Sequence, residues 1–570
     1  EVDDQYPYWL YAGQQDNYTT ISVPSLAPSS IQYAGVGWII NTGGCETGPA
    51  VPKPGNHNIV YVNCKGSFGV YNKITGVEKG YQVGAANIYG HNPKDLKYRF
   101  QRVAPIHVSP HNPNVVYHGS QYLHKTTDDG LHWETISPDL TANPPDKQVI
   151  SGSPITRDIT GEEIYSALYS IKESVLKEGL IWTGSNDGLI YLTQNGGKNW
   201  SNVTPVKLPS GGRVNTVEPS SHDQAKAYIA VLRYQLGDSK PYIYKTTDFG
   251  KSWELITTGS NGIGIDIPVR VVREDPVRAG LLYAGTEEGV FISFDDGKSW
   301  KSFQQNLPVT PVTDIKIHRG DLVLSTMGRS FWILDKIAAL RQTQINSLEN
   351  AGFLFKPDQT VRYRYPKVQN EPTTFPVYPQ AGVIIDYYIP KENKSGIKLE
   401  ILDAGKNAVA TFISDSTTQK LPDEFIRDMN TNKTVYIVNK SLSAKPGLNR
   451  FQWDLRHAGP WLKDVRRRYQ NGPIAAPGTY TVKLTLNNTV LEQTFELISD
   501  PRVLESGVTQ SHIEEQINLQ KKISAFISEV QRYQTSLEEE AKSLKSANNT
   551  TGRLKKVEAA ISHLKTGDGA

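Results

Sequence analysis

A chain of 570 residues with 61 Lys and Arg against 58 Asp and Glu has a formal net charge of +3, which offers no global field for nucleic acid or a charged membrane surface. The length exceeds one ordinary domain and suffices for large cores. No apolar run approaches the ~20 residues needed to span a bilayer, so a membrane span is excluded as an expectation.

The start, Glu1-Val-Asp-Asp, is acidic and lacks an apolar leader, as in a processed mature chain or one whose beginning was trimmed. Tyr6-Pro-Tyr-Trp-Leu-Tyr-Ala-Gly13 reads as a second strand with no first strand before it. Two explanations stand: this strand closes a ring against an incomplete last unit, or the chain is the later part of a longer protein, completed by an N-terminal segment or a partner chain. A degenerate unit follows over 39–98. In it Cys45 and Cys64 flank the run Asn58-Ile-Val-Tyr-Val, a spacing compatible with one local disulfide or with two buried thiols.

From there one unit recurs. A first strand meets a turn of the form Ser-Pro-x-x-Pro or Glu-Asp-Pro, then a Val/Leu-Tyr-x-Gly strand, as in Ile106 to Gly119 and Val271 to Gly285. A hairpin phrase follows: Thr126-Thr-Asp128-Asp-Gly130-Leu-His-Trp133, Thr193-Gln-Asn195-Gly-Gly197-Lys-Asn-Trp200, Thr246-Thr-Asp248-Phe-Gly250-Lys-Ser-Trp253 and Ser293-Phe-Asp295-Asp-Gly297-Lys-Ser-Trp300. A Trp every ~50 to 70 residues is the period of a repeat array. Gly takes a positive φ at no steric cost, Asp or Asn accepts from the turn's own N–H groups, and Trp is expected to bury its ring beneath the turn of its own blade. Asp128, Asn195, Asp248 and Asp295, with Trp133, Trp200, Trp253 and Trp300, are therefore assigned structural roles. A partial unit through Asp314-Ile-Lys-Ile, Leu322-Val-Leu-Ser and Phe331-Trp-Ile-Leu ends a β-propeller of six or seven blades over 1–338.

Residues 339–370 read as a linker. Over 371–503 the strands Val383-Ile-Ile-Asp-Tyr-Tyr-Ile, Ile397-Lys-Leu-Glu-Ile-Leu, Asn449-Arg-Phe-Gln-Trp-Asp-Leu and Gly478-Thr-Tyr-Thr-Val-Lys-Leu predict a β-sandwich of immunoglobulin or fibronectin type. Residues 504–570 turn helical, with Ile513, Ile517, Leu519, Ile523, Phe526, Ile527 and Val530 near a 3.6 period, and Ala547-Asn-Asn-Thr-Thr-Gly552 separating two helices of a hairpin.

The hairpin phrase resembles the Asp-box, or BNR repeat, of sialidases, sortilin-like receptors and exported bacterial β-propellers. Further phrases resemble one large family of exported sortilin-like BNR proteins, often labelled glycosyl hydrolases: Tyr11-Ala-Gly-Gln-Gln-Asp-Asn17, Ile136-Ser-Pro-Asp-Leu-Thr141, Gly184-Ser-Asn-Asp-Gly188, Gly328-Arg-Ser-Phe-Trp-Ile-Leu-Asp335 and Asn449-Arg-Phe-Gln-Trp-Asp-Leu-Arg456. The resemblance covers nearly the whole chain. It implies a secreted, periplasmic or cell-surface protein, further propeller sequence upstream, and boxes on the outer rim away from the central pocket. Met327 stands where many relatives have His.

A ligand is expected at one mouth of the central channel. Reading the inner strands gives Arg102, Arg157, Arg213, Arg270 and Arg329 near one register, a set of guanidiniums suited to carboxylate or sulfate groups of an acidic glycan or a peptide C-terminus, or else paired with Asp and Glu to close the channel. A hydrolase needs two carboxyl groups across a cleft. Asp158, Glu162 and Asp266 are the foremost candidates, with Glu163 and Asp314 also available. Tyr165 lies near the first group, superficially like a sialidase Tyr/Glu pair, but the N-terminal Arg-Ile-Pro phrase and a full arginine triad are not visible, which disfavours a sialidase. His107 and His111 lie on a strand and turn, without the spacing of convergent zinc ligands, and no phosphate loop, dinucleotide fingerprint or nucleophile elbow is present, so neither metal nor cofactor is expected. The sequence thus points to a propeller binding an extended glycan or polypeptide, with a glycoside hydrolase or lyase acting on acidic polysaccharide, and a sortilin-like peptide receptor, as alternatives.

Overall fold

Short runs of β-branched and aromatic residues, closed by Pro, Gly and Asp, fold into strands too short to stand alone, so each must bury a face against a neighbouring sheet. The computed structural model describes residues 1–570 except 17–19, 27–38, 85–87, 89, 153–163, 344–351, 364–376, 380, 392–395, 415–436, 439–441, 465–470, 488, 548–551 and 566–570. Residues 1–337 form one compact unit, and residues 338–370 with 380–570 form a second.

Among the described residues the first unit holds seven antiparallel meanders in chain order, the blades of a β-propeller. Five have four strands, and the first and last have three named strands each. The degenerate unit proves to be a full blade, Ala50–Lys53, Asn56–Cys64, Ser67–Asn72 and Val77–Gln82. Cys45 and Cys64 are bridged, with Cα atoms 4.9 Å apart.

The first blade corrects the expectation that its strand completes the last one. Trp9–Gly13 pairs with Thr20–Pro24 in a sheet of its own. The residues just before it supply the missing inner edge: Val2 bridges Leu10, and the Tyr11 N–H donates to Glu1 O at 2.8 Å. The ring closes by packing instead of strand exchange. Tyr8 and Leu10 bury against Val323, with Phe331 and Ile333 beside them, and the Tyr8 hydroxyl donates to Asp321 Oδ2 at 3.0 Å. Elsewhere, apolar clusters fill the space between blades, such as Trp182, Val214, Ile229 and Val231 between the fourth and fifth.

In the second unit two sheets enclose a core that includes Tyr387, Phe451, Trp453, Tyr480 and Phe495. Part of the stretch read as a linker belongs to this sandwich, since Phe353–Leu354 pairs with Val383–Ile389 and Thr360–Arg362 pairs in parallel with Thr489–Ser499. The helix Gln510–Ser546 folds back against Gly552–Lys565 through Leu537, Ala541, Leu554 and Val557. Ile513 and Ile517 are buried, whereas Leu519, Ile523 and Phe526, counted in the same periodicity, are exposed. Among the described residues no helix is long and apolar enough to cross a membrane.

Candidate functional site at the propeller axis

In a four-stranded meander, the first and third turns fall on one face of the ring, and the second turn and the blade-to-blade connections fall on the other. The four tryptophan turns are third turns, so topology places them opposite the face where the inner strands begin. Their chemistry is local. Asp128 Oδ1 accepts from the His132 N–H at 2.9 Å and from the Thr126 hydroxyl at 2.9 Å, and the hydroxyl accepts from the Gly130 N–H at 3.0 Å. Bonds from the His132 backbone and ring lower the Asp128 carboxyl to about 2. The same pattern recurs at Asn195, Asp248 and Asp295.

The indole does something the sequence reading missed. It reaches back to the preceding blade: Trp200 Nε1 donates to Ile136 O at 2.9 Å, Trp253 Nε1 to Val203 O at 2.7 Å and Trp300 Nε1 to Ile256 O at 3.0 Å. Each acceptor lies three residues past the previous tryptophan, so the repeat is a chain of staples from blade to blade. The glycine of each turn lies against the same neighbour; a Cβ on Gly250 would stand 2.7 Å from Val203 Cβ. Trp133 follows a blade without this turn. Its buried Nε1 has no acceptor among the described residues and its ring packs edge-on to Phe68 at 5.0 Å.

Two layers line the axis. The deeper one takes a residue from each inner strand, at the position paired with an aromatic of the second strand in six blades and with a valine in the seventh: Glu1 with Tyr11, Val51 with Tyr61, His107 with Tyr117, Lys172 with Trp182, Glu218 with Tyr228, Arg273 with Tyr283 and Lys316 with Val323. Arg273 bridges Glu218 at 3.0 Å and Asp314 at 2.7 Å, and Lys316 contacts Asp314 at 3.6 Å and Glu1 at 2.8 Å. Burial opposes ionisation of Asp314, but Lys316 and Arg273 outweigh it and hold the carboxyl below its usual range. Burial, then Lys316, pushes the Lys172 amine down, and burial, then Lys172, pushes the His107 imidazole well down. Ion pairs running from Glu218 through Arg273, Asp314 and Lys316 to Glu1 thus link four neighbouring blades in this layer.

The outer layer is built by a recurring irregularity. Four consecutive inner strands shift register by one residue at the same place: between Leu168 and Ser170, Val214 and Thr216, Val269 and Val271, and Val312 and Asp314. Such bulges re-aim side chains. The skipped residues are Tyr169, Asn215, Arg270 and Thr313, about 10 Å along the strand from the deeper layer at ~3.3 Å per residue. Arg213 lies two residues before the second bulge. Its guanidinium stacks on Tyr169 at 4.5 Å and its Nε donates to Asn215 Oδ1 at 2.9 Å. The Arg233 guanidinium grips the loop leading to it, donating to the carbonyls of Pro209, Ser210 and Gly211 at 2.9, 2.8 and 2.6 Å. Gly211 and Gly212 take φ of 75° and 94°, and a Cβ on Gly212 would come within 2.5 Å of Arg233.

The residues expected from sequence therefore separate. Arg213 and Arg270 come to adjacent inner strands, two register positions apart. Arg270 is buried and paired with Glu287 at 2.6 Å, and Arg102 is paired with Glu46 at 2.6 Å. Arg329 is exposed in the turn before Phe331–Leu334, and Asp266 is exposed in the loop before Val269–Glu274. Arg157, Asp158, Glu162 and Glu163 lie outside the described residues. Among the described residues no group of three or more His, Cys, Asp or Glu could hold a metal ion. The deeper layer had a sequence signal that went unread: its members stand two residues before Ser109, Ser174, Ser220 and Asp275, where each first strand ends.

No protein-family model matches the chain, and no curated protein matches it. Solved structures similar to it are β-propeller proteins. They include a GH74 xyloglucanase from Xanthomonas campestris, with a TM-score of 0.38 and 13% identity over 57% of this chain and 49% of that one. The GH74 enzyme of Niastella koreensis gives 0.38 and 14% over 85% and 70%. YCF48 bound to D1 peptide gives 0.32 and 12% over 49% and 74%. The chain thus spans about half the length of the first of these, 49%. Likeness at this level carries nothing about activity.

Proposed function

We propose that the protein is an exported propeller of the sortilin-like, Asp-box kind that binds an extended polymer, glycan or polypeptide, on the face where its inner strands begin. One observation carries this reading: the same bulge in four consecutive blades presents Tyr169, Asn215, Arg270 and Thr313 at one level of the axis. Repeating that irregularity costs regular pairing four times, and its result is a rim of phenol, amide, guanidinium and hydroxyl groups above the ion-paired layer. Among the described residues at this rim, Glu287 is committed to Arg270. The tryptophan turns serve the scaffold.

The test is retention on immobilised neutral, uronate-rich and sulfated polysaccharides and on extended polypeptides, with release of new reducing ends measured in parallel. Retention is expected, weakened at least tenfold by Tyr169→Ala with Asn215→Ala and unchanged by Lys198→Ala on the opposite face. Retention unaffected by the rim pair would sink the site. New reducing ends would replace the binding role with a hydrolase or lyase.

A further inference from the structure

Resting on that reading of the rim, we infer that Arg213 holds a carboxylate of the bound polymer, and that the ligand is an acidic glycan of the uronate type. The argument begins with what the other arginines do. Arg270 and Arg102 are each neutralised by a carboxylate, Arg273 by two, and Arg233 by Asp238 at 2.9 Å in addition to its three carbonyls. Arg213 has no carboxylate partner among the described residues; its Nε is bonded to Asn215 and its two terminal nitrogens donate to none of them. It is nevertheless held in place, with Tyr169 stacked on its plane, Asn215 fixing its Nε, and Asn215 itself anchored through Nδ2 to Arg270 O at 2.9 Å. A half-buried guanidinium fixed at one edge and unsatisfied at the other is shaped for a planar, bidentate anion.

The backbone argues for a sugar chain over a peptide. A peptide docking beside an inner strand needs free carbonyls and N–H groups along that edge. Here the neighbouring blade has taken three of the carbonyls: Ser170 Oγ donates to Val214 O at 3.0 Å, Asn215 Nδ2 and Thr216 Oγ1 both donate to Arg270 O, and Arg273 Nε donates to Ile315 O at 2.9 Å. What remains at the rim are side-chain groups suited to hydroxyls, and the half-exposed ring of Tyr234, 40% accessible and 5.9 Å from the Arg270 guanidinium, suited to the C–H face of a pyranose.

The experiment is calorimetry on the full chain with oligogalacturonate and oligoglucuronate, the same oligomers after reduction of their carboxyls to alcohols, a sulfated neutral oligosaccharide and a peptide with a free C-terminus. At least one uronate oligomer should bind about ten- to a hundredfold more tightly than its reduced form, the range of one charge-assisted contact. Arg213→Gln should erase that preference while leaving the melting temperature near that of the parent; Arg213→Lys, which keeps the charge without the fork, should keep part of it. Equal binding of acidic and reduced glycans, lost on Tyr169→Ala, would overturn the carboxylate assignment and leave the rim as a binding site. Preference for the sulfated sugar or the peptide would also overturn it. Failure of every polymer to bind would remove both this inference and the reading beneath it.

Discussion

At the level of Glu218, Arg273 and Lys316 the propeller axis carries paired charges, each bridging to the next blade; at the level of Arg213, a few residues along the same strands, one guanidinium is held rigid and left open. The two layers share blades, solvent channel and residue types. They differ in whether the protein itself supplies the counter-charge. Inside, where desolvation is expensive, an unpaired ion would destabilise the ring, so partners are built in. At the rim, where water still reaches the group, an open valence is tolerable, and that tolerance is what makes a ligand site affordable in stability.

The comparison breaks most easily at Arg273. Arg273→Met removes the bridge between Glu218 and Asp314 and leaves Glu218 without its arginine partner. A loss of about 3–5 kcal/mol is expected, the cost of taking one partner from a buried pair. Denaturant unfolding followed by tryptophan fluorescence reads it, and a loss below about 1 kcal/mol would mean that water screens the layer.

How much of this was legible beforehand follows the same division. The four Gly-x-x-Trp phrases reveal the repeat because every turn needs two successive left-handed residues, Asp129 and Gly130 for example with φ of 55° and 93°, and few sequences satisfy that. The register of the inner strands was not legible. Arg213 and Arg270 look equivalent in sequence, but a one-residue bulge places Arg270 level with Asn215, and no propensity marks that shift. Lys172, Glu218 and Arg273 were passed over because a charged residue inside a short strand reads as solvent-facing until the ring brings its counterparts round. Val2 pairing with Leu10 was likewise hidden, since two residues are too few to show a strand pattern.

pH separates interior from rim in a second way. Burial lowers His118 to about 4, and burial together with His118 lowers His124 to about 3, so the folded state keeps both neutral where the unfolded chain takes up protons near 6.5. Protons then favour the unfolded state. Stability is lost as pH falls below 6.5, by about 2 kcal/mol for each imidazole at pH 5. Asp314 acts lower: its depressed carboxyl contributes stability above the ordinary aspartate range that fades only as pH falls through its folded value. Thermal unfolding from pH 7.5 to 4.5 should therefore turn downward as pH falls through about 6.5, and His124→Gln should flatten the curve. A flat profile in the parent would show that both imidazoles are protonated in place.

At the outer edge the staples give a smaller effect with an internal control. Trp253→Phe deletes the bond to Val203 O and leaves that carbonyl without its indole donor, an expected loss of about 1–2 kcal/mol beyond any change in packing. Trp133→Phe removes an N–H that has no acceptor among the described residues and should cost that much less. Equal losses would assign the indoles to packing alone.

The smallest expected effect on stability is at the rim, and it decides the comparison. Arg213→Gln gives up stacking on Tyr169 and a hydrogen bond to Asn215, together worth less than about 1 kcal/mol at a site open to solvent. It creates no uncompensated charge, because no carboxylate was paired with Arg213 to begin with. If the ring merely distributes arginines for its own cohesion, Arg213 and Arg273 should differ only in degree of burial, and retention on acidic polymers should follow stability in both variants. If the open valence belongs to a ligand, the two orders reverse: Arg273→Met lowers the unfolding midpoint while molecules still folded retain the polymer, and Arg213→Gln leaves the midpoint nearly unmoved while retention falls at least tenfold. Measuring midpoint and retention on both variants at one ionic strength separates the cases, since only a ligand site uncouples the two quantities.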